Sequence, residues 1–229
     1  MTVAVPQATT AADGRTRWLA LPAGVSAAIL IVASAVVPFL TPLWIFPGQD
    51  RAHADAWTGW SSDTVHAVTA SVLRDLIVGP PDFAQTAPPD DTPVFTAREA
   101  SHLRDVRSAF LGFALVALVA AVVLVATTIA GRGSHAVARG IRTGAAVLAV
   151  GVVALGVLSV VAFDTVFEIF HELLFPAGSY TFDPATDRLV QLFPEAFWYE
   201  TAIALGVVIV VASTIVAWLA GRRLRGTPA

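Results

Sequence analysis

The chain has 229 residues, 56% of them hydrophobic and only 14% charged, with a formal net charge of −3 at pH 7 and a mean hydropathy of +0.72. A soluble domain carries roughly 25% charged residues, so a water-soluble globular protein is excluded and an integral membrane protein indicated. There is no cysteine, which removes disulfides, thiolate metal sites and a cysteine acyl-enzyme, and the basic residues form no patch with interleaved aromatics that nucleic acid would bind.

Residues 1–14 are small and polar and are expected to be disordered. Charge-free stretches then run over 18–49, 108–131, 143–163 and 201–221, which are 32, 24, 21 and 21 residues long. About 20 residues cross a bilayer as a helix. The expected fold is therefore all-α and polytopic: four transmembrane helices near 18–47, 108–131, 143–165 and 199–221. They form a single membrane domain over 15–225, followed by a short tail at 226–229. The first stretch follows Arg15 and Arg17 as a signal peptide would, but it exceeds an h-region of about 7–15 residues and lacks a small-residue cleavage site. It reads as a retained helix, with Pro22, Pro38 and Pro42 bending it or marking its ends.

The loop 48–107 contains "TVHAVTASVLRDLIVG", where Val65, Val68, Val72 and Leu76 recur at helical spacing. They predict an amphipathic helix lying on the rest of the protein or on the lipid surface. "GPPDFAQTAPPDD" breaks regularity and reads as a loop. Thr96 and Glu99 form a capping box with Phe95 placed as a staple, so a helix should start there and run unbroken into the second span. Gly144, Gly151 and Gly156 in the third span suggest close small-residue packing rather than a dimer motif. That helix should continue past the bilayer through "FDTVFEIFHELLFP". Asp164, Glu168 and Glu172 lie there along one stripe with His171 beside them, while Phe163, Phe167, Phe170 and Leu174 face elsewhere. In the loop 166–198, Asp183 as N-cap and Pro184 at the first helical position predict a short helix over 184–193, with Leu189, Val190, Leu192 and Phe193 as its oily face. Trp198 and Tyr199 mark the interface where the fourth span begins.

All fourteen basic residues are arginines. Eight of them (Arg15, Arg17, Arg132, Arg139, Arg142, Arg222, Arg223 and Arg225) share the two termini and the middle loop with a single acid, Asp13, whereas the other six face sixteen acids. The positive-inside rule places both termini in the cytoplasm and the loops 48–107 and 166–198 outside.

His102 lies six residues before one charge-free run and His171 eight residues after another. Both therefore sit roughly 10 Å beyond the apolar boundary, at a shared depth. His102 has Glu99 at i−3, Asp105 at i+3 and Arg98 at i−4, and His171 has Glu168 and Glu172 near it. One reading is an exposed, salt-bridged helix entry. The sharper one is a pair of imidazoles held by carboxylates and prepared for proton transfer. His53, His66 and His135 lack such surroundings and read as surface residues. Zinc stays open as an alternative, because two histidines with Glu168 or Glu172 meet the ligand count of a catalytic site; against it, there is no H-E-x-x-H and Glu172 points about 100° away from His171. A serine nucleophile (Ser101 or Ser179) lacks the G-x-S-x-G elbow.

The segments "FTAREASHLRDVR" and "FHELLFPAGSYTFDPATDRLVQLFPEAFW" resemble the two signature blocks of the bacterial lipoprotein intramolecular transacylase (Lit) family, whose patterns run close to E-x-x-H-[ML]-x-D-V-[KR] and F-H-x-x-F-F followed by W-x-F-[DN]-P-x-x-D-x-L-I-x-x-F-P-x-x-F. Glu99, His102, Asp105, Val106 and Arg107 fill the first block. Phe170, His171, Phe175, Phe182, Asp183, Pro184, Asp187, Leu189, Phe193, Pro194 and Phe197 fill the second. Tyr180 replaces the usual tryptophan and Leu174 an aromatic residue, changes that keep an apolar lining. The resemblance implies an acyltransferase of the bacterial cytoplasmic membrane with its site on the extracytoplasmic side. It would move the sn-2 acyl chain of a diacylglyceryl-cysteine lipoprotein onto the cysteine α-amine, with His102 and His171 as the family's two functional histidines. Its partners are then the lipid-modified N-terminus of lipoproteins and membrane lipids. Donor ester and acceptor amine belong to one molecule, so positioning can contribute on the order of 7–11 kcal/mol, and neither an acyl-enzyme, a metal nor a cofactor is required. In this scheme His102 is the base, oriented by Asp105 or Glu99. His171 stabilises the oxyanion or protonates the leaving oxygen, supported by Glu168 or Glu172, with the two roles exchangeable. Arg104 or Arg107 contacts the oxyanion, a lipid phosphate or the interface, and the oily helix 184–193 shields the acyl chains. The alternatives are a non-catalytic lipid-binding or scaffold protein, or a metal-dependent hydrolase or acyltransferase acting on another lipid ester.

Overall fold

The computed structural model describes residues 16–88, 91–132 and 134–225, so the expectations for residues 1–14 and 226–229 fall outside the described residues. Among the described residues the protein is all-α apart from one two-residue antiparallel pairing. In chain order the helices are α1 (Ala20–Val36, with 3-10 turns Arg17–Leu19 before it and Val37–Leu40 after it), α2 (Pro42–Arg51), α3 (Ala54–Thr58) and α4 (Ser62–Ile77). The pairing of β1 (Thr86–Ala87) with β2 (Thr92–Pro93) follows, then α5 (Ala97–Ala130), α6 (Ala136–Leu174), α7 (Arg188–Leu192) and α8 (Glu195–Arg225). Among the described residues four helical segments, Arg17–Leu40, α5, α6 and α8, are long and apolar enough to cross a membrane.

The first span is shorter than the composition suggests. Thr41 takes an extended conformation and Pro42 starts a new helix at its N1 position, so residues 42–47 belong to α2 and not to the span. The apolar run conceals this break, since only the prolines carry it. Helix α6 also departs from helical dihedrals at Ala162, which separates its outer end from the span proper.

The chain divides into two compact units. One comprises the described residues up to Ala35, Phe113–Leu155 and the chain from Gly206 on. Its tightest contact joins α1 to the first turns of α6: a methyl group on Gly140 or Gly144 would run into the backbone of Ala20 or Gly24. Small residues four apart let two backbones touch, which is how helices gain packing energy in lipid. Gly151 and Gly156, expected to pack in the same way, face open space. Leu19, Ala23 and Val137 close a small core here. Elsewhere the surfaces of α5, α6 and α8 are exposed valines and leucines, as a lipid-facing helix requires. The hydroxyls of Thr127 and Thr128 donate to carbonyls one turn earlier, which satisfies both in an apolar setting.

The other unit spans Val36–Gly112 and Gly156–Leu205. Ser61 caps α4 by accepting from the Thr64 amide at 3.3 Å, and Val65, Val68 and Val72 are buried in a core shared with Phe83, Phe95, Leu103, Leu189 and Leu192. The amphipathic helix thus lies on the protein. Phe83 holds a left-handed φ of 51°, a strained choice for a bulky residue, offset by nearly complete burial of its ring. The short helix begins at Arg188 rather than Pro184. Asp183 caps a turn instead, its carboxylate accepting from the Ala185 amide at 2.9 Å and its carbonyl from the Asp187 amide at 2.8 Å. Leu189 and Leu192 of α7 point into this core.

Candidate active site

Helix α5 opens with the capping box. The Thr96 amide donates to Glu99 Oε2 at 2.8 Å, and the Glu99 amide donates to Thr96 Oγ1 at 3.3 Å. Glu99 is 0% exposed, and its other oxygen accepts from the Leu189 amide at 2.7 Å. One carboxylate therefore fixes the start of α5 and the start of α7 together. None of its hydrogen bonds reaches His102, so it anchors the turn that carries the histidine instead of orienting the ring.

His102 stands on the next residue of that face, and His171 comes from the outer end of α6. Their ring centroids are 6.2 Å apart with planes 26° from parallel, and the two residues are 6% and 9% exposed. Aromatic rings wall them in. Phe175 touches both, at 4.9 Å from His102 and 5.5 Å from His171. Phe182 packs on His102 at 5.5 Å, and Phe167, Phe170 and Tyr180 pack on His171 at 4.1, 5.3 and 5.2 Å. The expectation that the phenylalanines of this helix face away from the histidine is thus corrected. Phe167 lies four residues before His171, about 40° round the helix, nearer than Glu168 at about 60° or Glu172 at about 100°.

The hydrogen bonding distinguishes the rings. His171 Nδ1 is 2.7 Å from the carbonyl oxygen of Phe167. A carbonyl only accepts, so Nδ1 carries the proton, and in the neutral ring Nε2 is left with a bare lone pair. His102 Nδ1 is buried and has no hydrogen-bond partner among the described residues. Both imidazoles lie on helix extensions beyond the charge-free spans. Burial pushes the pKa of His102 down, the neighbouring His171 pushes it further, and Asp105 opposes the shift without cancelling it. Burial likewise lowers His171, against the Phe167 carbonyl. Both rings are thereby held neutral in the physiological range.

The remaining sequence-predicted residues divide by position. Asp105 is half-buried and acts through its charge. Glu168, Glu172 and Arg104 are exposed, and among the described residues their side chains make no hydrogen bond or ion pair with the histidines. Arg107 closes the end of α4, donating to the carbonyls of Asp75 and Gly79, which removes it from the expected contact with an oxyanion or lipid phosphate. Among the described residues no three His, Asp or Glu side chains gather as a metal site. His66 meets Asp50 at 3.0 Å and stacks on Phe46, away from the pair.

The sequence reading missed a supporting arm. Arg98 donates to Asp187 Oδ2 at 2.8 Å, and its guanidinium lies 5.0 Å over the Phe182 ring that packs on His102. Asp187 is itself buried and accepts from the Asp183 amide at 2.8 Å. The available signal was Asp187 within the second block, together with Arg98 one turn before His102.

A four-span membrane protein with a neutral, aromatic-walled imidazole pair is the class that fold and site define. The family model of the lipoprotein intramolecular transacylase Lit matches residues 24–198, and the chain belongs to that family of acyltransferases. Among solved structures the fold is similar to that of Lit from Bacillus cereus, with a TM-score of 0.77 at 20% identity over 93% of this chain and 99% of that one. Structures of the same Bacillus cereus protein with one histidine replaced by arginine or by alanine each give a TM-score of 0.72 at 20% identity, covering 93% of this chain and 93% and 94% of theirs. No curated protein sequence matches the chain.

Proposed function

We propose that this protein transfers the sn-2 acyl chain of a diacylglyceryl-cysteine lipoprotein to the α-amine of the same cysteine, giving the lyso-form. The observation that carries the reading is the buried pair itself, with His171 fixed in one tautomer by the Phe167 carbonyl. Rings 6.2 Å apart are close enough for one bound substrate to be reached by both. The neutral amine attacks the ester carbonyl, whose π pair moves onto oxygen. His171 Nε2 takes a proton from the nitrogen, which becomes acidic once bonded to carbon. His102 donates an N–H to the oxyanion or to the departing sn-2 oxygen. As the C–O bond breaks, that oxygen takes the proton held by His171, while His102 keeps its own through the hydrogen bond, so one N–H proton becomes one O–H proton and both rings end neutral. The tautomer of His171 thus favours it as base and His102 as donor. An aromatic wall that excludes water suits transfer to an amine over hydrolysis.

The arginine asymmetry supports cytoplasmic termini and a site facing outward in the bacterial cytoplasmic membrane. The test is a mass spectrum of lipoprotein N-termini after incubating a diacylglyceryl-cysteine lipoprotein with the purified protein in vesicles. An unchanged total mass with the acyl group on nitrogen is the expected result. An unmodified N-terminus, or release of free fatty acid, overturns the reading.

A further inference from the structure

The unit that lacks His102 and His171 carries an open cavity of its own, of about 900 Å³, walled by α1, α5, α6 and α8 and with His135 in its lining. Its walls include Ile31, Leu124, Ile141 and Val208, and its rim carries Arg132 and Arg223. The space opens at the surface between the spans and is lined chiefly by apolar side chains, so in a bilayer it takes an apolar filler. Water is a poor filler, because it needs 2–4 polar partners per molecule and most of this lining is apolar. Both rim arginines are exposed, and neither guanidinium has a hydrogen bond or ion pair among the described residues. The segments around them, 131–142 and 221–225, hold six arginines and no acid. The volume falls within the range of ligand pockets, about 300–1,000 Å³.

We infer that this cavity is a binding site for an anionic phospholipid, with the phosphate held between Arg132 and Arg223 and an acyl chain lying along the apolar wall. Guanidinium forks match phosphate oxygens bidentately, and basic pockets between spans select anionic head groups. The site shares no residue with the imidazole pair, so it stands or falls independently of the proposed reaction.

The experiment is native mass spectrometry of the full-length protein in mild detergent, titrated with phosphatidylglycerol or with phosphatidylcholine of the same chains. One phosphatidylglycerol should be retained per protein, on the order of tenfold more tightly than phosphatidylcholine. The double variant R132A/R223A should lose that preference. R222A/R225A, which removes two arginines outside the cavity lining, should keep it. A212L leaves both arginines in place and narrows the cavity from α8, so it should weaken retention as well, and it decides the matter if the arginine variant fails to fold. Equal retention of the two lipids, full retention by R132A/R223A or by A212L, or a second protein copy cross-linked into the cavity overturns the site.

Discussion

The two units solve opposite problems. Of the thirteen buried polar or charged side chains among the described residues, the unit of Gly24, Gly140 and Gly144 holds three, Ser26, Thr127 and Ser213, none of them titratable. The unit with His102 and His171 holds the other ten, including Asp75, Glu99 and Asp187. Where lipid is the solvent, close backbone packing contributes the stability and a buried charge is expensive. In the unit with His102 and His171, buried carboxylates such as Glu99 and Asp187 are satisfied by hydrogen bonds, whereas His102 Nδ1 is buried without a partner among the described residues. Stability and chemistry are therefore separable by mutation.

The largest effect should come from the imidazoles. H171A should lower acyl transfer by about 10²–10⁴-fold, the usual contribution of a positioned acid or base, and H102A should do the same. Both should lower the melting temperature in detergent only by the packing lost against Phe167, Phe175 and Phe182 and leave a folded protein, because neither ring is shown with a hydrogen bond that crosses between helices. Loss of folding alongside loss of activity would break the separation.

Glu99 should lie between the two extremes. E99A leaves the Thr96 and Leu189 amides without their acceptor, which should cost about 2–4 kcal/mol and reduce activity through disorder at the start of α5 and α7. Thermal denaturation read alongside turnover tests this, and a stable but inactive E99A would instead make the carboxylate part of the chemistry. G140V strikes the other unit. Its side chain meets the Ala20 backbone, and overpacking of this kind costs about 1–3 kcal/mol. The melting temperature should fall while turnover per folded molecule stays unchanged.

The sequence disclosed what depends on composition and local pattern. The spans follow from long charge-free runs, and the capping box at Thr96 and Glu99 is built as its spacing demands. Both histidines were visible as helix-entry residues at equal depth, and they do meet. What stayed hidden depends on tertiary choices. Which glycines would touch a neighbour was not legible in α6, because Gly140, Gly144, Gly151 and Gly156 look alike until α1 is placed against the first two. The partner of His171 was hidden for a related reason. A backbone carbonyl has no sequence signature, so nearby carboxylates drew the attention that belonged to Phe167. Asp183 reads as the cap of the short helix, but its side chain caps a turn, and it is Asp187 that stands before the helix and takes the salt bridge from Arg98.

The smallest effect should come from the acidic stripe, and it is also the sharpest test of what tunes the site. Glu168 and Glu172 are exposed and do not hydrogen-bond to His171. E168Q and E172Q should each change the rate less than about twofold, in keeping with the weak coupling of solvated charges. The pH profile separates this from a catalytic role. The attacking amine has a reference pKa near 8, so the logarithm of the rate should fall with slope one as pH drops below that value. Protonation of the base would steepen the slope to two. Burial holds both histidine pKa values below 6.5, so steepening should begin only on the acid side of that point. If the stripe sustained the imidazolium, its carboxylates would raise the pKa of His171, and their removal would move the break to lower pH. An unmoved break in E168Q and E172Q, with wild type already steepening below 6.5, leaves the aromatic wall as the element that sets the protonation state of the pair.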